Sequence, residues 1–205
     1  MLASGRRRSD VHAIDFNRVE FRPDGAVVLH PSRAFLPKTR AAAEGAKAFS
    51  PIVLPSLESF VGPEEPDALL CPVRAVRVYI RRTAPFRRGR NKLFISFQRR
   101  RTTDITAQTL SIWFRSLVQH IYNSADIDAL NLYKVSTHQA RHVAMSLASS
   151  YNVSMETLIR AGMWVNSTSF TNYYLSDALV VVREAQRFRL GPLVTSQTVV
   201  QEVPK

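Results

Sequence analysis

His138 and Arg141 stand three residues apart, so on a helix they project from one face. Such a pair suits a phosphate, the arginine neutralising an oxygen while the histidine holds or moves a proton. His142, four residues after His138, would let two histidines share a zinc ion. No glutamate lies between them and no third ligand is evident, so no metal and no other cofactor is expected. Read alone, the pair is equally the polar face of an ordinary helix. Tyr173 and Tyr174 offer a phenolic nucleophile, which is weak at its free pKa and needs positive charge and a base beside it. Next to Phe170 the same two tyrosines also read as core packing.

The charge of the chain narrows the partner. Its 205 residues carry 28 lysines and arginines against 16 acids, a net +12 and a pI near 10.7. Residues 1–101 hold 20 of the basic side chains and 9 of the acidic ones. Such a balance favours polyanions, because binding releases the counterions condensed on them. Arginine outnumbers lysine, which favours phosphate, since a guanidinium fork can hold two oxygens at once. The lone Cys71 excludes an intramolecular disulfide and a cysteine-rich zinc site, and is expected as a buried structural thiol near a helix start. No apolar run approaches the ~18 residues of a membrane span, and no signal peptide is evident, so a soluble intracellular protein is expected.

The elements that must position these residues are legible in outline. Residues 1–14 read as a helix with Leu2, Val11 and Ile14 as apolar positions. Two extended stretches follow, Asp15–Phe21 and Ala26–His30, around the turn Pro23-Asp24-Gly25, and Pro51–Leu54 makes a third. A helix begins at Pro72, with Val73, Val76 and Ile80 as its stripe, and ends before Pro85. Arg87–Arg90 is a basic loop, Lys92–Phe97 an extended piece and Arg99–Arg101 a second basic cluster. From Thr106 a helix carries Leu110, Trp113, Phe114, Leu117 and Ile121 on one side. Ser136 or Thr137 caps another running to about Tyr151. Ser154 starts a short one, and Ser167–Tyr174 and Asp177–Phe188 complete the helical set. The chain is therefore expected to be α+β and mostly helical, with a small N-terminal antiparallel three-stranded sheet.

Taken in order, Gly5-Arg6-Arg7-Arg8-Ser9-Asp10, Lys38, His138-Gln139-Ala140-Arg141-His142, Trp164 and Tyr174 resemble the set spread over the catalytic domain of tyrosine recombinases, the phage integrase family. The similar stretches are Ala3–His12, Phe35–Lys38, Leu70–Ala75, Lys92–Ser96, Thr137–Ser146 and Ala161–Leu175, and they look most like the recombinases of DIRS-type retrotransposons. The resemblance selects Arg7, two residues after Gly5 and three before Asp10, as the first catalytic arginine. It selects Lys38 as the lysine, with Lys47 as the fallback, and Trp164 at the position held by histidine in many members. The nucleophile it selects is Tyr174, four after Phe170 and ten after Trp164; Tyr173 is the alternative.

The resemblance implies a tyrosine recombinase catalytic-domain fold over residues 1–190. On this resemblance the helical core-binding domain that normally precedes it is expected to be absent, and residues 191–205 are expected to form a flexible tail. It implies breakage and rejoining of double-stranded DNA through a 3′-phosphotyrosine, for site-specific recombination or integration of a DIRS-like element. Arg7 and Arg141 clamp the phosphate, Lys38 protonates the leaving oxygen, His138 serves as base, and the Trp164 indole N–H is a donor. Arg6, Arg8, Arg40, Arg88, Arg90, Arg100 and His142 are the candidate DNA contacts, Arg6 and Arg8 alternatively being structural partners. Self-association on DNA through residues after Leu175 and a nuclear site of action are further expectations. A catalytically inactive DNA-binding remnant of such an element is the alternative, and a type IB topoisomerase-like relaxase a third reading.

Overall fold

A computed structural model describes residues 3–36, 51–61, 66–98, 101–124, 136–164 and 168. The opening helix is shorter than its sequence suggests: among the described residues of this stretch only Arg8–His12 forms helix α1, and residues 3–7 are turn and irregular. Strand β1 follows at once over Ile14–Phe21, because Ile14 is drawn into the core at 2% exposure. It pairs antiparallel with β2, Val27–Pro31, through the Pro23-Asp24-Gly25 turn. There Gly25 takes a φ of 83°, Arg22 N–H donates to Ala26 O at 2.8 Å, and Ala26 N–H donates to Asp24 Oδ1 at 3.0 Å. Strand β3, Ile52–Leu54, pairs with β2 and completes the three-stranded antiparallel sheet in the order β1-β2-β3. This is the sheet read from the sequence.

One face of the sheet is packed by the short helix α2, Glu58–Val61, a 3₁₀ turn over Pro66–Leu70, and helix α3, Pro72–Thr83. Val73 is buried with Ile14, Val27, Leu29, Ile52, Leu54, Leu57, Cys71 and Leu93, and Val76 and Ile80 pack against the cluster. Cys71 is fully buried at the N-cap of α3. Burial alone would push its thiol up, but hydrogen bonds from Arg74, Ser56 and Leu57 outweigh it and bring the thiol below its ordinary value. Its sulfur thus acts as a buried acceptor, with Leu57 N–H at 3.2 Å.

The basic loop after α3 contains an anchor. Arg87 is 4% exposed; it donates to Lys92 O, Thr83 Oγ1 and Leu93 O at 2.8–2.9 Å and lies 3.8 Å from the Phe16 ring centroid. It ties the 91–93 segment to β1, where Phe16 N–H meets Asn91 O at 2.6 Å and Leu93 N–H meets Ile14 O at 3.0 Å. Beyond this point Ile95–Gln98, strand β4, pairs with a strand absent from the sequence reading, β5 at Arg101–Asp104. Polar Arg101-Thr102-Thr103-Asp104 has no apolar alternation to betray it.

The remaining helices are α4, Ala107–Ser124; α5, Thr137–Ser150; and α6, Met155–Gly162. Helix α1 packs on α4, α4 on α5 and α5 on α6. A second core of Met145, Ala148, Val153, Leu158 and Trp164 joins α5 to α6. The apolar side of α4 differs from expectation: Trp113, Leu117 and Ile121 are exposed. The fold class is nevertheless as read, a mixed α+β domain with one small three-stranded sheet at its front.

Candidate functional site

Helix α5 starts at a Ser136 cap, whose hydroxyl accepts Gln139 N–H at 3.2 Å. Thr137 and His138 thus occupy its first turn, and Arg141 follows one turn later. Arg141 is 1% exposed; it donates to Gly162 O at 2.6 Å and its guanidinium lies 3.9 Å from the Trp164 ring centroid. Trp164 reaches that place because α6 ends in a left-handed residue, Met163, with φ 54°. Trp164 N–H then reaches back to Ile159 O at 3.0 Å, turning the indole onto α5. Gly162 leaves room for this return, since a Cβ there would sit 1.6 Å from Trp164 Cζ3.

Arg7 is held from the other side. It is the N-cap of α1, and its backbone N–H donates to Asp10 Oδ2 at 3.1 Å. Asp10 is 2% exposed. Gly5, with φ 57°, passes so close to α5 that a Cβ would lie 1.5 Å from Met145 Cε. Gly5 and Asp10, the frame that selected Arg7 in the sequence, therefore have physical tasks. Arg8 joins α1 to α4 by donating to Ser111 Oγ at 2.6 Å and Gln108 Oε1 at 3.2 Å. Ser111 Oγ in turn meets Thr137 Oγ1 at 3.4 Å.

These elements enclose a cleft of about 550 Å³ lined by Arg7, Arg8, Ser9, Ala107, Gln108, Ser111, Arg115, Ser136, Thr137, His138 and Arg141. Among the described residues four arginines line it and no carboxylate does. His138 stands exposed at this cleft, and its acid is pulled below the ordinary histidine value by partial dehydration, then by the charges of Arg141, His142 and Arg7. A neutral imidazole beside arginines can accept a proton while the guanidinium groups hold an anion.

Of the residues singled out from the sequence, Arg7, His138 and Arg141 converge here, with Trp164 behind Arg141 and Arg8 on the rim. His142 is half-buried, close enough to act on His138. Arg6 is 5% exposed and donates to Pro51 O at 3.5 Å, which makes it a structural partner between α1 and the sheet. Arg88 is exposed with φ 45°, and Arg90 pairs with Asp104 at 3.7 Å; neither lines the cleft. Lys38, Arg40, Arg100, Tyr173 and Tyr174 lie outside the described residues. Gln108, Ser111 and Arg115 were missed, although their spacing along α4 puts them on one polar helix face. Among the described residues no group of three His, Cys, Asp or Glu side chains is placed to hold a metal, and no helix is long and apolar enough to cross a membrane.

No family model and no curated protein matches the sequence. The structure is similar to the crystal structure of XerA recombinase, with a TM-score of 0.54 over 92% of this chain at 14% identity. The chain spans 54% of the length of that recombinase. The likeness establishes the fold expected from the sequence, that of a tyrosine recombinase.

Proposed function

We propose that this chain is the catalytic domain of a site-specific DNA recombinase or integrase that cuts and rejoins strands through a 3′-phosphotyrosine. The observation that carries the reading is the convergence of Arg7 with the sequence-remote pair His138 and Arg141 in one arginine-lined cleft, whose described lining holds no carboxylate. The fold shared with a recombinase agrees with it.

In the proposed reaction the Tyr174 oxygen attacks a backbone phosphorus, the bond to the 5′-oxygen breaks, and a 3′-phosphotyrosine remains. His138, kept neutral by its surroundings, takes the tyrosine proton. Lys38 gives a proton to the departing 5′-oxygen. Arg7 and Arg141 hold the non-bridging oxygens as charge builds on them, and donors fixed before the reaction need no reorganisation during it. The Trp164 face steadies Arg141, and its indole N–H is assigned as a further donor to phosphate. Rejoining is the reverse, with a 5′-hydroxyl from another strand displacing the tyrosine.

The element of origin is proposed to be DIRS-like, on the ten-residue spacing from Trp164 to Tyr174 with Phe170 between them. Self-association on double-stranded DNA and action in the nucleus belong to the same proposal. A nicked suicide duplex tests it: a denaturation-resistant complex of protein with the 3′ end of the cut strand is the expected product. DNA binding without any such complex would contradict catalysis and favour a DNA-binding remnant.

A further inference from the structure

Among the described elements outside the cleft, helix α3 is the most strongly basic. Its sequence, PVRAVRVYIRRT, contains four arginines and no acid, and Arg74, Arg77, Arg81 and Arg82 are all exposed. Arg74, Arg77 and Arg81 follow the i, i+3, i+7 spacing, so they form one ridge about 10.5 Å long at 1.5 Å per residue. The opposite side of the helix, Val73, Val76 and Ile80, packs on the sheet core. The ridge therefore faces outward by construction.

Helix stability does not account for this arrangement. Arg81 and Arg82 lie in the last turn, where a cation complements the helix dipole, but Arg74 lies in the first turn, where the dipole opposes it. No acid stands in that first turn. Among the described residues none of the four arginines forms an ion pair. Arg77 lies 5.0 Å from the Phe21 ring centroid, an arrangement that orients the side chain without neutralising it. None of the four lines the cleft.

We infer that the outer face of α3 is a second binding surface, separate from the cleft, for the phosphate backbone of duplex DNA. Protein interfaces centre on aromatic and arginine anchors in desolvated pockets. Along this ridge the neighbours Ala75 and Val78 are small, and the large apolar group beside it, Phe21, lies against Arg77. A polyanion needs no anchor, because affinity arises from counterion release at each neutralised phosphate. A duplex presents a charge every ~1.7 Å of its axis, dense enough to serve the whole ridge. The inference rests on the proposed function only in its choice of DNA as the polyanion.

The test is a salt titration of the full chain on a duplex of unrelated sequence. The variant Arg74→Gln/Arg77→Gln/Arg81→Gln keeps helix-forming side chains and removes the charge. The slope of log K against log salt is expected to fall by about 2.7, at ~0.9 for each lost phosphate contact. The corresponding triple lysine variant is expected to keep the wild-type slope, and suicide-duplex cleavage at saturating protein is expected to be unchanged in both. If the triple glutamine variant melts early, Arg81→Gln alone is expected to lower the slope by about 0.9. A wild-type slope in the glutamine variants, with binding still weakened by Arg7→Gln, would overturn the α3 surface and leave the cleft reading standing. Absence of DNA binding by the wild-type chain would overturn both. Binding of polyglutamate that depends on these arginines, with an unchanged DNA slope, would overturn DNA as the partner in favour of an acidic protein.

Discussion

The Arg141 guanidinium rests 3.9 Å from the Trp164 ring centroid while one of its nitrogens donates to Gly162 O at 2.6 Å. The tryptophan is thus the floor on which the buried arginine is aimed at the cleft, and the end of α6 supplies both the floor and the hydrogen bond. Trp164→Phe keeps a ring but removes the indole donor. A hydrogen bond to a charged group contributes about 1.5–3 kcal/mol, so single-turnover cleavage is expected to slow roughly tenfold to a hundredfold with little change in Tm. A phenylalanine variant that cuts at the wild-type rate would remove the donor role and leave the stack alone. Trp164→Ala is expected to lose about 3–5 kcal/mol of stability as well, from the cavity it opens in the second core.

Arg141→Ala is expected to cost about 3–4 kcal/mol of transition-state stabilisation, the scale of a lost oxyanion donor. Arg141→Lys is expected to fall nearly as far, because an ammonium restores neither the planar stack nor the fork. Single-turnover rates on a suicide duplex measure both, and a loss below tenfold for alanine would remove Arg141 from the phosphate.

The pH dependence follows from His138. Its acid lies below the ordinary histidine value, through dehydration and the neighbouring Arg141, His142 and Arg7. The imidazole is therefore expected to stay neutral, and cleavage to persist, as pH falls past about 6.5, the free-histidine value. A proton NMR titration of the free protein is expected to give a midpoint below that value, and Arg7→Gln is expected to move it upward. Any effect on stability has the same sign: the unfolded chain binds this proton more readily, so stability declines as pH falls below the unfolded value. A midpoint at or above the ordinary value would contradict the electrostatic coupling between α1 and α5.

Lys38 is assigned as the proton donor to the leaving oxygen. A duplex with sulfur at the bridging 5′ position tests that assignment, since a thiolate departs without being protonated. Lys38→Ala is expected to be severely slowed on ordinary DNA and restored to near the wild-type rate on the sulfur substrate. Equal slowing on both would move Lys38 from acid to binding contact.

Two glycine positions and one left-handed methionine fix the geometry of the site. Gly5→Ala and Gly162→Ala each drive a Cβ into Met145 or Trp164, and are expected to lower Tm and cleavage together. Met163→Gly relieves a non-glycine residue of its positive φ and is expected to raise stability by about 1 kcal/mol, read by urea denaturation.

The front sheet was legible because Pro23-Asp24-Gly25 and the flanking β-rich runs are local signals, and α5 because Ser136 caps it. Strand β5 was not, since Arg101-Thr102-Thr103-Asp104 owes its pairing to the neighbouring strand rather than to its own pattern. The stripe on α4 misled, because periodicity marks an apolar face without saying whether anything covers Trp113, Leu117 and Ile121. At the site, local spacing gave His138 and Arg141, and the ordered set gave Arg7. Arg6, which the sequence left as a DNA contact or a structural partner, is a buried anchor to Pro51 O. Arg87 of the basic loop is buried against the nearby carbonyls of Lys92 and Leu93 and the Phe16 ring. The contacts to Pro51 and Phe16 are remote in sequence. Arg115 enters the cleft only through the packing of α1, α4 and α5, which no local pattern encodes.

The most direct measurement is to trap the covalent complex on a nicked suicide duplex, digest it, and identify the modified residue by mass spectrometry. A nucleotide joined through its 3′-phosphate to Tyr174 is expected, lost in Tyr174→Phe, with DNA binding retained. An adduct on Tyr173 would correct the nucleophile by one residue. An adduct on any other residue, or none while DNA is bound, would contradict phosphotyrosine chemistry at this cleft.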